Sequence, residues 1–263
     1  ASSTQAAFNA LRADPAAGAV VPYYNYLEGL VQETIDGVFD TGVRIVAAER
    51  LPVVFAIGTH PSASRVEVVF SHPKGLAQCS DYLREKYPDV RLQSVTSTAE
   101  AARLAAETPA SAAIARREAL VSAGLRIVGD DIGNVAHGRR NYTEFLLLGT
   151  FDLPAPADAP YRTMLAVMPY EERVGLLADI LNQFAFYRIN LAKIHSRPGV
   201  ARVRTALDPQ MFYFEVEGRD DSPDFVACRA ALNHRFSTPD GPPPMTSLGC
   251  YPLFDDDQVG AAR

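Results

Sequence analysis

Apolar residues along the chain recur with two periods, and the switches between them mark its elements. Residues 4 to 13 (TQAAFNALRA) read as a short helix and 17 to 25 (AGAVVPYYN) as a strand running into a turn. Leu27, Leu30, Val31, Ile35 and Val38 then recur at helical spacing, and Asn25 with Glu28 fits a capping box, which predicts a helix starting near Tyr26. From 43 to 70 the pattern is extended: VRIVAAERLPVVFAIG supplies two apolar segments and VEVVF a third, β-branched one. Pro73, following Ser71 and His72, suits the first position of a helix over KGLAQCSDYLREKY. LQSV reads as a strand, and Ser97 with Glu100 forms a second capping box opening TAEAARLAAE. SAAIA, then RREALVSAG ended by Gly124, then LRIVGDDI continue the alternation, and EFLLLG closes it. Strand–helix alternation predicts a mostly parallel sheet.

Residues 154 to 160 (PAPADAP) break the periodicity and read as a semi-rigid linker. Beyond it YRTMLAVM is a strand, and Val174, Leu177, Ile180, Leu181 and Phe184 mark one face of a helix. INLAKIHSR and MFYFEVEG are strands, SPDFVACRAALNHR a helix and MTSLGCYPLF a strand. That order, βαββαβ, is the ferredoxin-like arrangement. The domains expected are therefore 1–153, a linker at 154–160, a ferredoxin-like domain at 161–254 and a solvated tail at 255–263.

Composition narrows the function classes. With 263 residues, 48% of them hydrophobic, the chain can bury the cores of two domains. A net charge of −6 without a Lys/Arg block gives no electrostatic footprint for nucleic acid. No apolar run approaches the roughly 20 residues of a membrane span, and no signal pattern is present, so a soluble, cytoplasmic protein is expected. Cys79, Cys228 and Cys250 lack the spacing of a disulfide frame or zinc site. There is no GxGxxG, Walker, GxSxG or HExxH pattern, and no cofactor or metal is expected.

Three helix starts in the first domain follow strands: at Asn25, at Ser71/His72 and at Ser97/Thr98. Such starts, gathered at the carboxyl ends of strands in an α/β sheet, predict an anionic small molecule. Each alone is an ordinary cap, and the signal is their combination. His72 could donate to an anion, although a lone histidine there is more often structural, and Lys74 with Arg139 and Arg140 could add positive charge. NYTEF (141 to 145) sets a hydroxyl, a carboxylate and an aromatic ring at the mouth of a strand.

These motifs together resemble the prephenate dehydratase family, a catalytic domain followed by an ACT regulatory domain. SHPKGLAQC (71 to 79) resembles the family's SHPQALAQC, TSTAEAARL (96 to 104) its STAEAA, and NYTEF its NTTRF. AAIARREALVSAGLRIVGDDI resembles its AAIAS…A…YGL…I run. VGLLADIL and INLAKIHSRP (189 to 198) resemble the GALV and ESRP motifs, and LGCYP (248 to 252) the closing LGSYP. The resemblance implies a two-lobed, periplasmic-binding-protein-like catalytic domain whose cleft holds the prephenate dianion. It implies Thr143 near the leaving hydroxyl, with Asn25 and Ser71 as further catalytic groups. Ser97, Thr98, Lys74, Arg140, Glu144, Phe145 and Tyr24 would bind substrate. Gly175, Leu176, Asn190 and Leu191, with Ser196 and Arg197 nearby, would hold phenylalanine between two copies, in a homodimer or homotetramer. The pathway implied is phenylalanine biosynthesis from shikimate-derived precursors.

The chain departs from the family at four places. The GPxGT opening either precedes Ala1 or has been lost. ENS before LEG is here Tyr24, Asn25, Tyr26; Glu144 stands for the arginine of TRF; His195 replaces the glutamate of ESRP. Glu144 in a dry cleft would repel a dianion unless Lys74 or Arg140 compensates. Two alternatives to a dehydratase follow: a divergent paralogue, such as a non-aromatising prephenate decarboxylase, and a non-catalytic sensor of an aromatic metabolite.

Overall fold

A helix with one apolar face opens the chain: α1 (Thr4–Ala13) is capped by the Ser3 hydroxyl, which accepts from the Ala6 N–H at 3.2 Å, and buries Ala7, Phe8 and Leu11. In a computed structural model the described residues are 3–14, 16–134, 141–156, 158–170, 173–198, 210–237 and 243–255. After α1 come β1 (Ala19–Asn25), β2 (Gly29–Leu30), α2 (Gln32–Thr41), β3 (Arg44–Pro52), β4 (Ala56–Thr59), β5 (Val68–Ser71), α3 (Pro73–Gln78), α4 (Ser80–Lys86), β6 (Arg91–Ser94), α5 (Thr98–Glu107), β7 (Ser111–Ala115), α6 (Arg117–Ser122), β8 (Arg126–Gly129) and β9 (Tyr142–Gly149). The carboxyl half adds β10 (Tyr161–Val167), α7 (Leu176–Phe186), β11 (Leu191–Pro198), β12 (Gln210–Glu217), α8 (Pro223–Phe236) and β13 (Met245–Asp255).

The chain divides into two compact units: one of Ala1–Asn25, Gly29–Leu51 and Glu144–Arg263, the other of Tyr26–Glu28 and Pro52–Thr143. The first is built on an eight-stranded sheet ordered β11-β12-β10-β13-β3-β9-β1-β2. Its β10–β13 part shows the βαββαβ order read from the sequence. β13 makes the sheet continuous: its earlier residues pair antiparallel with β10, and Leu253–Asp255 pair parallel with Ala48–Arg50 of β3. Both faces are covered. On β12, Phe212, Phe214 and Val216 pack with Leu176, Ile180 and Phe184 of α7 and with Phe225 and Leu232 of α8. Met211 and Tyr213 turn the other way, into a core with Phe8, Val21, Tyr23, Ile35, Leu146 and Tyr251.

The second unit has a five-stranded sheet, β6-β5-β7-β4-β8. Only β5 with β6 and β5 with β7 are parallel, while β4 runs antiparallel to both β7 and β8. The expected mostly parallel sheet is therefore corrected to a mixed one. Helical crossovers dictate parallel pairing only within the β5–α3–α4–β6–α5–β7 run.

Three local expectations also change. No helix begins at Tyr26: Asn25 pairs with Gly29 in a β1–β2 hairpin whose Gly29 has φ 86, and α2 starts at Gln32. Leu27 is exposed, so the helical spacing there was fortuitous. The helix expected after Pro73 is broken at Cys79 into α3 and α4. Val174 is fully exposed, and Leu176 takes the buried place in the first turn of α7.

Gly249 lies beside the register shift in β13, where a Cβ would sit 2.5 Å from the Ile45 carbonyl oxygen and 2.9 Å from its nitrogen. Backbone cannot yield as a side chain can. Gly249→Ala is expected to cost roughly 1–3 kcal/mol, read as a lowered midpoint in thermal or urea unfolding.

Candidate active site

Polar groups gather at one end of the second unit's sheet. Ser71 and Ser94 stand opposite each other where β5 and β6 end in parallel, so α3 and α5 both begin there. His72 Nδ1 accepts from the Lys74 N–H at 3.2 Å, and the Ser97 hydroxyl accepts from the Glu100 N–H at 3.1 Å. The Glu100 carboxylate accepts from the Thr96 hydroxyl and N–H at 2.5 and 2.9 Å, bonds that hold its carboxyl below the usual range. This is the predicted capping box, reaching one residue further back.

Thr143 follows a stretch held from three directions. The Val53 N–H donates to the Asn141 carbonyl at 2.9 Å and the Tyr26 N–H to the Tyr142 carbonyl at 3.0 Å. The rings of Tyr26 and Tyr142 stack 5.4 Å apart. Asn141, buried, donates to Gln78 Oε1 at 3.2 Å, which ties it to the end of α3. Lys74, in the first turn of α3, pairs at 2.6 Å with Glu28. The structure thus brings Lys74 and the helix starts of α3 and α5 to one end of this unit and anchors the residues before Thr143 to α3.

The other expected residues divide as follows. Ser71 is fully buried, and its hydroxyl donates to the Ile114 carbonyl at 2.8 Å, so it stitches β5 to β7 rather than facing an opening. Ser97 is exposed, and Thr98, Thr143 and Phe145 are half-buried. Asn25 closes β1, and Tyr24, on the same strand, has its ring 4.9 Å from the Lys193 ammonium. Arg139 and Arg140 lie outside the described residues.

Glu144 departs most from expectation. Along β9, Glu144, Leu146 and Leu148 turn into the core of the first unit, and Thr143 and Phe145 turn the other way. Glu144 is 0% exposed, with one oxygen 3.0 Å from Arg50 Nε and the other 2.9 Å from Lys193 Nζ. Its charge is therefore neutralised on the face opposite Thr143.

Lys193 also bonds Glu215 at 2.7 Å, and Tyr23 donates to the same Glu215 oxygen at 3.0 Å. Arg162 Nε lies 3.7 Å from the other Glu215 oxygen. Burial, and then the Glu215 charge, push the Tyr23 phenol well above its usual value, so it remains a neutral donor. Composition and spacing did not single out this cluster. The available signal was Glu215, an ionisable residue inside the apolar run MFYFEVEG.

Of the residues expected around a regulatory ligand, two pairs lie at opposite ends of one helix. Gly175, in the left-handed region at φ 83, and Leu176 start α7, whereas Asn190 and Leu191 follow its far end. Eleven helical residues separate the two pairs by roughly 16 Å. The Asn190 amide donates to Glu217 at 2.7 Å, Ser196 is exposed, and Arg197 pairs with Asp36 of α2. Burial, then Lys193, lower the pKa of His195.

Burial raises the Cys79 thiol to about 12 and Cys228 to about 11, so neither supplies a thiolate near neutral pH. Among the described residues no cluster of His, Cys, Asp or Glu could hold a metal ion, and no helix is long and apolar enough to cross a membrane.

Comparison with known proteins bears on this geometry. A family model described as prephenate dehydratase matches residues 1–152. The prephenate dehydratase of Lactococcus lactis subsp. cremoris (strain MG1363) is 32% identical over 206 residues, 76% of this chain and 70% of that protein. A bifunctional chorismate mutase/prephenate dehydratase of Aquifex aeolicus (strain VF5) is 30% identical over 203 residues, and the chain spans 53% of its length. Among solved structures, the prephenate dehydratase from Arthrobacter aurescens in complex with L-Phe is similar over 96% of this chain and 80% of that one, at a TM-score of 0.72 and 29% identity.

The buried carboxylates leave a signature in pH. Burial foremost raises the pKa of Glu215; Lys193 opposes the shift and Glu144 adds to it. A raised folded-state pKa means that the folded protein holds this proton more tightly than the unfolded chain. The associated stability is fully present below the ordinary value of 4.5 and is lost as pH rises through the raised one. Thermal midpoints from pH 4 to 8 should therefore show a downward contribution in the wild type that Glu215→Gln removes. Equal slopes in the two proteins would contradict the assignment.

Proposed function

Because the chain belongs to the prephenate dehydratase family, we propose that it is a carbon–oxygen lyase converting prephenate to phenylpyruvate, water and CO₂. The observation that carries the reading is the facing of Glu144. Its carboxylate is buried and paired with Arg50 and Lys193, so the strand that bears Thr143 presents no uncompensated negative charge to a dianion.

The reaction breaks two bonds. The pair released as the ring carboxylate leaves as CO₂ completes the aromatic ring, and the ring C–O bond breaks as its oxygen takes up a proton and departs as water. A hydroxyl near that oxygen can direct the proton and stabilise the developing charge. Thr143 has this role in the proposal, with Asn25 orienting substrate and Ser71 holding β5 against β7. Ser97 and Thr98 would donate to a carboxylate at the start of α5, with Tyr24 and Phe145 packing against the ring. Lys74 would supply charge together with Arg140. Its bond to Glu28 joins two substantially exposed side chains, a kind of pair worth about 0–1 kcal/mol and easily exchanged for a substrate carboxylate.

Regulation is part of the same proposal. Gly175, Leu176, Asn190 and Leu191 would line a phenylalanine site between two copies, with Ser196 and Arg197 nearby, consistent with the first two pairs lying at opposite ends of α7 in one chain. In this proposal the catalytic domain spans 1–153 and the ACT domain 161–254, joined by the linker at 154–160.

Purified protein incubated with prephenate should give the ultraviolet signal of phenylpyruvate, and Thr143→Ala should lower kcat on the order of 10²-fold or more with little change in KM. Absence of phenylpyruvate would overturn the dehydratase reading. A product that has lost CO₂ but kept the ring hydroxyl, seen by mass spectrometry, would assign a decarboxylase instead, and binding without turnover a sensor. For the regulatory site, Asn190→Ala should abolish phenylalanine binding in calorimetry while Glu217→Gln, which removes only the carboxylate that Asn190 bonds, should retain it.

A further inference from the structure

The sheet of the first unit brings together strands that are far apart in its order. Between β11 and β9 lie β12, β10, β13 and β3, so a flat sheet would hold them about 24 Å apart. Lys193 on β11 nevertheless bonds Glu144 on β9 at 2.9 Å, and Tyr23 on β1 bonds Glu215 on β12 at 3.0 Å. The sheet is curled on itself, and these side chains are what its two ends hold in common.

Lys193 is the link among them. Its ammonium lies between two carboxylates that are both 0% exposed in their side chains, at 2.9 Å from Glu144 and 2.7 Å from Glu215. It is 12% exposed itself, beneath the Tyr23 and Tyr24 rings at 4.9 Å. Such a group has no solvent to turn to when its partners shift, so β11 and β9 move together or the bonds break. β11 carries Leu191, Ser196 and Arg197 and directly follows Asn190; β9 carries Thr143 one residue before Glu144.

We propose that Lys193 is a positioning residue that fixes the strand of Thr143 relative to β11, so that a ligand on the β11 segment acts on Thr143 through the Lys193–Glu144 bond. The catalytic half of this statement rests on the dehydratase reading; the mechanical half does not. An apolar residue of similar length would fill the same space but leave the buried Glu144 and Glu215 carboxylates without their shared cation, so a space-filling role and a registering role make different predictions for local exchange.

The test compares wild type, Lys193→Met, Lys193→Arg and Glu144→Gln, as full chains. Without ligand, amide hydrogen exchange over Tyr142–Leu146 should accelerate at least tenfold in Lys193→Met and in Glu144→Gln, with exchange over β5 unchanged, and Lys193→Arg should restore most of the protection. With prephenate, kcat should fall at least tenfold in Lys193→Met while KM stays within twofold, with recovery in Lys193→Arg. Phenylalanine should change exchange over Tyr142–Leu146 in wild type and leave it unchanged in Lys193→Met. Unaltered local exchange in Lys193→Met, or an arginine variant no better than the methionine one, overturns the proposal. A wild type that makes no phenylpyruvate refutes the dehydratase reading alone, because the ligand-free exchange still decides the positioning role. Should Lys193→Met fail to fold, Glu144→Gln decides it by the same exchange measurement.

Discussion

Closure of the first unit's sheet around a buried ammonium is the constraint from which the rest of the structure follows. Backbone pairing alone gives a row of strands, β11 at one edge and β2 at the other. What brings β11 within hydrogen-bond distance of β9 is Lys193, whose two carboxylate partners come one from each half of the sheet. The closure depends in turn on β13, which pairs with β10 of the ferredoxin-like half and with β3 of the other. Gly249 permits that double pairing, since its missing side chain admits the Ile45 backbone. Met211 and Phe212, adjacent on β12 but on opposite faces, then pack into two separate cores.

Energetically the cluster is an expensive way to fill space. Desolvating a charge costs several kcal/mol, and the attraction regained in a dry site roughly offsets it when geometry is good. Leu, Met and Phe would pack as stably. What charge supplies and apolar residues lack is direction. An ammonium 2.7 and 2.9 Å from two oxygens tolerates few relative positions of its strands, whereas a methyl group tolerates many. Removing a single partner would strand a buried carboxylate, so the cluster changes as a whole or not at all.

Most elements were legible in the sequence because period and caps agree. Ser97 with Glu100 reads as a helix start and is one, and the βαββαβ order of the carboxyl half follows from strand and helix periods alone. The failures have a common form. Leu27 and Leu30 sit at helical spacing inside a hairpin, and Val174 matches a helix face while fully exposed. Period reports what a segment could bury, not whether a neighbour exists to bury it. In the candidate site the same gap appears at Ser71, a hydroxyl at a strand end by sequence but bonded to Ile114 in the fold. Which face of β9 carries Glu144 depended on register, because a shift of one residue exchanges the faces.

Register also resolves the charge reversal beside Thr143. Resemblance alone sets Glu144 where relatives have an arginine, and taken by itself that substitution would oppose a dianionic substrate. Yet an arginine at 144, on the inward face, would meet Lys193 and Arg50 and put three cations in one buried site. Glu144, Lys193 and Arg50 are mutually consistent only as a set. Lys193 lies two residues before His195, within the stretch INLAKIHSRP that itself departs from the family pattern. One buried contact, Lys193 with Glu144, joins β9 to the strand that also bears His195. Change at one end of that contact constrains the other while leaving the opposite face of β9, and Thr143 on it, free to keep the chemistry.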